Sequence, residues 1–327
     1  MTDSRQVRAA ATEESPPLVS AVVPTYGRRP DLFRAAVESV RRQTYDDIEL
    51  VVVDDSPENV SAWLDGDDAG FTDVVRVRNG GHDGAAAARN TGIRAASGSL
   101  IGFLDDDDRW FPTKVERQVA AFTDEAVGLV CTGQQHGTEG TTTNVSVPTV
   151  RGDVTEALLS GAMLGPTSTA MVRAAVVRDA GELFDERLHC WEDKEWYIRL
   201  SRHCLFEPVQ EPLVYRHSGA HEQLTDASDF ETLRDRTRPL LLSKHRELAA
   251  EFGSRCERRF VATTARLLAA AALSAGRYGD ARRYAGEALR HAPGSLRALQ
   301  YLLAAIGGRY THVPLRTLRR QLVRLRA

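Results

Sequence analysis

The chain has 327 residues, of which 42% are hydrophobic and 27% charged, and this is the composition of an ordinary folded protein. Its formal net charge of −3 provides no overall basic field, so nucleic acid is not expected as a partner. No apolar run reaches the roughly 18 residues that would mark a membrane-spanning helix, and the four cysteines form no CxxC pair. These features favour a cytoplasmic protein with one large α/β domain and a smaller appendage.

The first half of the chain alternates β-branched runs with amphipathic helical segments. Residues 1–17 are polar and predict a disordered leader. Apolar runs predict strands at 18–23, 48–53, 74–77, 100–104 and 127–131. Helical spacing predicts helices at 32–40, 84–96 and 114–122. This alternation predicts an α/β fold with a mostly parallel, doubly wound sheet and helices on both faces.

The second half is less regular at first and then becomes helical. Residues 134–149 are rich in Gly, Thr and Val and predict loops with a short hairpin, and a helix is predicted to begin near Glu192. Residues 228–310 are nearly all helical, and the spacing around Gly276 and Ala281 resembles one tetratricopeptide repeat. A single repeat cannot bury its own apolar face. We therefore expect it to pack on the domain at 18–227 or on a second copy in a homodimer.

The chain ends in a basic segment, and its residues 311–327 predict a short amphipathic helix in which leucines recur at helical spacing between arginines. Such a helix can lie in an anionic membrane interface, which would make residues 314–327 a peripheral membrane contact. Docking of the leucines on the helical region explains the same pattern equally well.

Four adjacent aspartates, Asp105 to Asp108, follow the predicted strand at 100–104. Their carboxylates repel one another unless a cation lies nearby. Mg²⁺ and Mn²⁺ take oxygen ligands and are usually held by one or two carboxylates together with substrate phosphates. The run therefore predicts a divalent metal and a phosphate-bearing substrate, although a solvated acidic turn explains it alone just as well.

Several short segments occur in a specific order along residues 18–225. They are Val23-Pro24-Thr25-Tyr26, Asp54-Asp55-Ser56, Arg89-Asn90-Thr91-Gly92, Phe103-Leu104 with the four aspartates, Gly181 to Glu186, Trp191-Glu192-Asp193 and Tyr215-Arg216-His217. In this joint occurrence the chain resembles glycosyltransferase family 2. The resemblance implies a GT-A fold, a nucleoside-diphosphate sugar as donor, a divalent Mn or Mg ion, and inversion at the anomeric carbon.

The resemblance also implies roles for residues on the donor side. The segment that lines the nucleotide corresponds to Pro24, Thr25 and Tyr26, and the carboxylate that reads the base to Asp54 with Asp55 beside it. In the DxD motif, Asp105 or Asp106 faces the ribose or the metal, and Asp107 coordinates the metal at the diphosphate. The four aspartates leave this register open. His217 corresponds to a histidine that reaches the metal or diphosphate, with His221 as the alternative.

Two further residues are expected to take part in the chemistry. Asp193 corresponds to the general base that deprotonates the acceptor hydroxyl, although an acidic helix N-terminus alone would also explain it. Arg89 is expected either to serve the nucleotide side or to pin strand ends through hydrogen bonds to backbone carbonyls, and both interpretations remain open.

The expected reaction is transfer of a sugar to a glycan or lipid-linked acceptor at the inner face of the membrane. A sugar-phosphate nucleotidyltransferase is the rival enzyme, but the segment from Pro24 to Arg29 holds only one glycine, whereas that class has a glycine-rich phosphate loop. A catalytically inactive scaffold with a helical interaction region is the rival from another class. The presence of all the carboxylates weighs against it.

Overall fold

The computed structural model describes residues 15–57, 59–60, 64, 68–79, 84–138, 141–217 and 230–308. The leader up to residue 14, His221 and the basic tail at 311–327 lie outside these ranges. No helix in the described ranges is both long and apolar enough to cross a membrane.

The chain forms an α/β unit followed by consecutive helices. The strands are β1 (Val19–Thr25), β2 (Ile48–Asp54), β3 (Asp73–Arg78), β4 (Leu100–Phe103), β5 (Asp108–Trp110), β6 (Val127–Thr138), β7 (Thr141–Ser146), β8 (Ala170–Arg173) and β9 (Leu205–His217). The helices are α1 (Pro30–Arg41), α2 (Gly84–Ala95), α3 (Lys114–Ala121), α4 (Thr155–Leu159), α5 (Ala174–Arg178), α6 (Glu192–Leu200), α7 (Phe230–Thr232), α8 (Arg238–Glu251), α9 (Ser254–Ser274), α10 (Tyr278–His291) and α11 (Leu296–Gly307).

One mixed sheet organises the α/β unit, with strand order β3-β2-β1-β4-β8-β6-β9-β5 and β7 paired to β6. The first four strands are parallel, as the alternating pattern predicts. Strand β8 then runs antiparallel to both β4 and β6, and β5 runs antiparallel to β9. The expected α/β fold is confirmed, while parallel pairing is confined to β3-β2-β1-β4 and the β6–β9 pair.

Both faces of the parallel part are buried. Ala21 and Val23 pack in an apolar cluster with Phe33 of α1, whereas Val22 points the other way and packs in a second cluster with Ala88 of α2. This is the period of two that a strand imposes on successive side chains. It explains why β1 reads as a continuous apolar run instead of an alternating one.

Gly92 allows α2 to lie close against the sheet. A Cβ atom at this position would come within 2.3 Å of a Val22 methyl carbon and 3.2 Å of Val53. Any larger residue would push α2 away from β1 and β2. Because Arg89 lies one helical turn before Gly92, the close approach also sets the height of Arg89 above the sheet.

The segments that the pattern did not resolve lie around β6 to β9. Of residues 134–149, expected as loops with a short hairpin, residues 134–138 form the end of β6, and residues 141–146 form β7, which pairs antiparallel with it. Strand β9 contains Pro208 and Pro212, which argue against a strand in sequence, and its pairing with β6 shifts register along its length. Strand β8 has only four residues, too few to show a period.

The helices from α8 to α11 form the expected C-terminal helical region. Helices α9 and α10 are joined by a turn at Gly276, whose φ of +70° is accessible to glycine at little cost. Residues of the α/β unit pack on the apolar face of this helix pair. Cys190 and Trp191 share an apolar cluster with Leu268 and Ala272 of α9. Of the two expectations for the repeat-like unit, packing on the neighbouring domain is therefore observed.

Candidate active site

The carboxyl ends of β1, β2 and β4 meet at one edge of the sheet. Thr25 ends β1 and is paired in register with Asp54 at the end of β2. The turn that holds the four aspartates begins directly after β4, which pairs with the other side of β1. The Thr25 hydroxyl donates a hydrogen bond to Oδ2 of Asp106 at 2.7 Å. The structure thus brings together the residues assigned to nucleotide binding at 25, 54 and 106.

Asp54 is buried and held in place from two sides. Its Oδ1 accepts hydrogen bonds from the Ser56 backbone N–H at 2.9 Å and from the Ser56 hydroxyl at 2.5 Å, while Arg78 of β3 donates to Oδ2 at 3.1 Å. Asp55 is also buried and accepts from the side-chain amide of Asn79 at 3.3 Å. Arg78 was not among the predicted site residues, although it lies at the carboxyl end of a predicted strand. Tyr26, the next residue after β1, is exposed.

Arg89 joins two parts of the site. Its guanidinium is buried and donates to Asp105 at 2.7 Å and to Glu192 at 2.9 Å. A single guanidinium group therefore connects the start of α6 to the turn after β4. Burial alone would raise the pKa of Asp105, but the Arg89 charge and hydrogen bond outweigh burial and lower this pKa. Arg89 thus joins two chain segments, although it does so through the carboxylates of Asp105 and Glu192 instead of through the backbone carbonyls of the second interpretation.

The other three aspartates are less well compensated than Asp105. Burial raises the pKa of Asp106 to about 6, and the charges of Asp107 and Asp105 act in the same direction. Burial first, then the charge of Asp105, also raises the pKa of Asp107. Asp108 is buried, and its pKa lies well above the usual value even though the Ser168 hydroxyl donates to it at 2.7 Å and Arg216 lies 3.6 Å away. The turn therefore holds negative charge that a bound cation would stabilise.

His217 follows Arg216, which pairs with Asp108 between β5 and β9, so His217 lies beside the acidic turn. Its charge lowers the pKa of Asp107, so the two side chains are electrostatically close, and its buried Nδ1 has no hydrogen-bond partner within the described ranges. No three His, Cys, Asp or Glu side chains in those ranges converge into a metal site on their own. The residues fit a Mg²⁺ or Mn²⁺ ion that takes its remaining ligands from substrate phosphates and water, which is the usual way these ions are bound.

The proposed general base lies in the first turn of α6. Asp193 is half-buried, and its Oδ1 accepts a hydrogen bond from the Lys194 backbone N–H at 2.7 Å. Trp191 precedes the helix with φ = 62°, and it is the only residue other than glycine with a positive φ among the described residues. Bulky side chains rarely adopt this conformation, which is a form of strain that clusters at functional sites.

Sequence reasoning missed the support beneath α6. Asn90 follows Arg89 and forms paired hydrogen bonds with the Phe184 backbone, donating at 2.9 Å and accepting at 2.8 Å. The Phe184 ring stacks on Trp196 of α6 with 4.2 Å between centroids, and Phe103 meets both rings edge-on. The segment at 181–186 that the resemblance singled out therefore connects α2 to α6. The residue types in this segment did not indicate this packing role.

The sequence profile named Glycosyl transferase family 2 matches residues 20–176. This range includes Thr25, Asp54, Arg89 and the four aspartates, and it ends before Asp193 and His217. An Escherichia coli protein, UDP-Glc:alpha-D-GlcNAc-diphosphoundecaprenol beta-1,3-glucosyltransferase WfaP, is 36% identical over 110 residues, which are 34% of this chain and 43% of that protein. An uncharacterized glycosyltransferase of Haemophilus influenzae is 28% identical over 204 residues, 61% of this chain and 67% of that protein. The chain spans less than half the length of the first curated relatives that it matches.

Two solved structures share the fold over most of the chain. Residues 1–349 of TarS from S. aureus superpose with a TM-score of 0.54 at 15% identity, covering 88% of this chain and 90% of that one. The mannosyltransferase PcManGT from Pyrobaculum calidifontis, solved in complex with GDP-Man and Mn²⁺, gives a TM-score of 0.52 at 18% identity, covering 90% of this chain and 87% of that one. At these identities the likeness concerns the fold, and it agrees with the expected GT-A architecture.

Proposed function

The chain belongs to glycosyltransferase family 2 through residues 20–176, and from this premise we propose that it transfers a sugar from a nucleoside-diphosphate sugar to a hydroxyl acceptor. The observation that carries the proposal is the Arg89 link, at 2.7 Å to Asp105 and 2.9 Å to Glu192. It sets a half-buried carboxylate, Asp193, in the first helical turn beside the acidic turn after β4. A phosphate-side cluster and a separate candidate base are what displacement at a sugar carbon requires.

On the donor side, the nucleotide lies along the carboxyl ends of β1 and β2. Pro24, Thr25 and the exposed Tyr26 line it, and Asp54 with Asp55 provides acceptors for base N–H groups. Asp54 is already fixed by Ser56 and Arg78, so it needs little reorganisation on binding. Arg89 acts here by holding Asp105, while Asp105 or Asp106 faces the ribose.

A divalent metal, Mn²⁺ or Mg²⁺, would be held by Asp107 and His217, with Asp105 as the further carboxylate. When bound, the ion offsets the charge that develops on the departing diphosphate. The raised pKa of Asp107 and the unpartnered Nδ1 of His217 support this assignment. The chain's own residues hold the ion, position the donor and keep the acidic turn in one conformation.

On the acceptor side, Asp193 acts as general base. Its carboxylate takes the proton of the acceptor hydroxyl as that oxygen forms a bond to the anomeric carbon and the bond from carbon to the diphosphate oxygen breaks. Attack on the face opposite the diphosphate inverts the configuration at this carbon. The hydrogen bond from Lys194 leaves Asp193 able to accept further donors, because a carboxylate offers about four acceptor sites.

We also propose a lipid-linked acceptor at the inner face of the membrane, with a free glycan as the alternative. Support comes from the relatives WfaP and WfgD, whose names specify a diphosphoundecaprenol-linked substrate. The basic segment 314–327 would then add a peripheral membrane contact. Co-sedimentation of the full chain and of a chain ending at Tyr310 with anionic vesicles tests this part, and equal sedimentation would remove the segment from the membrane.

The decisive experiment is a panel of UDP, GDP and dTDP sugars added with and without Mn²⁺, followed by thermal unfolding and by donor hydrolysis. The proposal expects Mn²⁺-dependent stabilisation by one nucleotide class and slow release of the matching nucleoside diphosphate. Pyrophosphate release from a nucleoside triphosphate and a sugar phosphate would instead identify a nucleotidyltransferase. Binding without any hydrolysis or transfer would identify an inactive scaffold.

A further inference from the structure

The two parts of the chain carry opposite charge. Residues 254–327 contain 15 arginines and only three acidic residues, so this part has a formal charge of +12. The net charge of the chain is −3, and residues 1–253 therefore carry −15. No Asp or Glu follows Glu287. A molecule with this polarity orients itself in an electric field, with its helical end toward negative charge.

Helix α11 presents an apolar stripe at this basic end. Leu296, Leu299, Leu303 and Ile306 are 74%, 42%, 58% and 61% exposed. They recur at intervals of three and four residues, so they share one face of the helix over about 15 Å. The opposite face is buried through Ala298 and Ala305, which anchor α11 to the rest of the helical region.

Basic side chains border the stripe. Arg297 is exposed next to Leu296, and Arg266 of α9 lies close enough to Arg297 for the two charges to interact. Arg290 is exposed near the end of α10, just before the turn into α11. Four adjacent large apolar side chains are an unusual surface for a soluble helix unless something covers them.

We propose that the α11 face, formed by Leu296, Leu299, Leu303 and Ile306, inserts into the surface of an anionic lipid bilayer. Exposed leucines beside arginines, with no acidic residue in the helix, match the chemistry of a helix that lies in a lipid interface. Each arginine near an anionic surface adds about 1 kcal/mol of attraction. The acidic part of the chain is repelled by the same surface, which turns the α11 face toward the lipid.

Charge also argues against the other occupants of this face. A symmetric pair of copies would use the same patch of both chains, so it would bring the Arg297 and Arg266 charges of both to one interface with no acidic residue of α11 to offset them. The chain's own segment 309–327 adds six arginines and no acidic residue, so it would bring like charge to the same place. Of these three occupants, only an anionic lipid surface supplies both an apolar layer and negative charge.

The test compares the full-length protein with a double variant, Leu299→Glu with Leu303→Glu, in co-sedimentation with vesicles. A matched control, Val145→Glu with Phe252→Glu, makes the same charge change at apolar side chains that are 52% and 41% exposed elsewhere. Vesicles that contain phosphatidylglycerol are compared with vesicles of phosphatidylcholine alone. We expect the wild type and the control to bind the anionic vesicles, and the α11 variant to bind them at least about tenfold more weakly.

Four results of the binding and association experiments would overturn the proposal. They are equal binding by the α11 variant and the wild type, absence of wild-type binding, equal wild-type binding to neutral and anionic vesicles, or a wild-type dimer in solution that the α11 variant alone converts to monomer. The last result would assign the face to a second copy. Thermal unfolding of the α11 variant provides the remaining check, because an uncovered face predicts an unchanged unfolding temperature. A drop of several degrees would mean that the chain's own residues cover α11, and it would also refute the proposal.

Discussion

Nε2 of His245 lies 3.1 Å from Oε1 of Glu195, and this hydrogen bond joins α8 to the helix that carries Asp193. Lys244 contributes a second contact to the same carboxylate at 2.5 Å, and Arg199 a third at 2.9 Å. Glu195 is completely buried. A buried carboxylate with three basic partners, two of them on α8, is thus one polar connection between the α/β unit and the helical region.

The Glu195 network predicts an acid-sensitive stability. Burial would raise the pKa of Glu195, but the hydrogen bonds from His245 and Arg199 outweigh burial and lower it to about 2. The ionised form is therefore stabilised in the folded protein, and its contribution is present above the unfolded pKa near 4.3 and is lost as the pH falls toward 2. The contribution is on the order of 3 kcal/mol. Denaturant unfolding between pH 5 and pH 2.5 measures it.

A Glu195→Gln variant should unfold more easily at neutral pH and should show a flatter pH dependence in this window. The matched control is Glu125→Gln, which alters an exposed glutamate ahead of β6. If the two variants give parallel stability curves against pH, Glu195 is not the group responsible.

We expect that loss of Arg89 lowers the stability of the folded protein. Arg89→Met removes a buried guanidinium and leaves the partly buried carboxylates of Asp105 and Glu192 without their shared partner, and loss of one member of a buried ion pair typically costs about 3–5 kcal/mol. Arg94→Met removes an exposed arginine from the same helix and should change stability by less than about 0.5 kcal/mol. Chemical denaturation of both variants checks this. Equal stability of the two would favour the interpretation in which Arg89 serves the nucleotide.

Asp107→Asn should weaken metal-dependent binding of the nucleoside diphosphate by at least about tenfold, because even outer-shell partners of a metal contribute 10–100-fold to its affinity. Titration calorimetry with and without Mn²⁺ separates the metal-dependent part of the affinity from the rest. Asp179→Asn, at an exposed aspartate, provides the control. An unchanged Mn²⁺ dependence in Asp107→Asn would show that the metal register lies on another of the four aspartates.

Asp193→Asn should separate donor binding from catalysis. The asparagine oxygen still accepts the Lys194 N–H, so the start of α6 is kept, but the side chain no longer takes a proton. We expect donor affinity close to that of the wild type and a transfer rate lower by about 100-fold or more. Steady-state kinetics with the donor identified from the nucleotide panel give both quantities. Turnover near the wild-type rate would remove Asp193 from the mechanism.

Apolar periodicity and positions at strand ends predicted the regular elements of the first half of the chain. Strands β1 to β4 and helices α1 and α2 follow from apolar periodicity, and the carboxylates of Asp54 and Asp105 from their positions after strands. The pattern could not reveal that Arg89 bridges Asp105 and Glu192, because that contact links residues 103 positions apart. Nor could it reveal β9, whose two prolines mask a strand.

The polar contacts at the site were the hardest to predict. Asn90 looks like a solvated residue, yet it is buried and holds Phe184 through two backbone hydrogen bonds. Such a role depends on which loop packs against the helix. The global fold determines that packing, and the residues next to Asn90 in sequence do not.

The packing of Trp191 limits how much of the chain can be removed without disturbing the start of α6. The backbone of Trp191 is left-handed, and its side chain shares an apolar cluster with Leu241, Leu268 and other residues of the helices that follow. If the chain were shortened to the family-matched range or to the α/β unit alone, this packing would be lost and the backbone before Glu192 could relax. We therefore expect a chain shortened in this way to lose the conformation at the start of α6. Transplanting this α/β unit onto another protein would have to carry α8 to α10 with it.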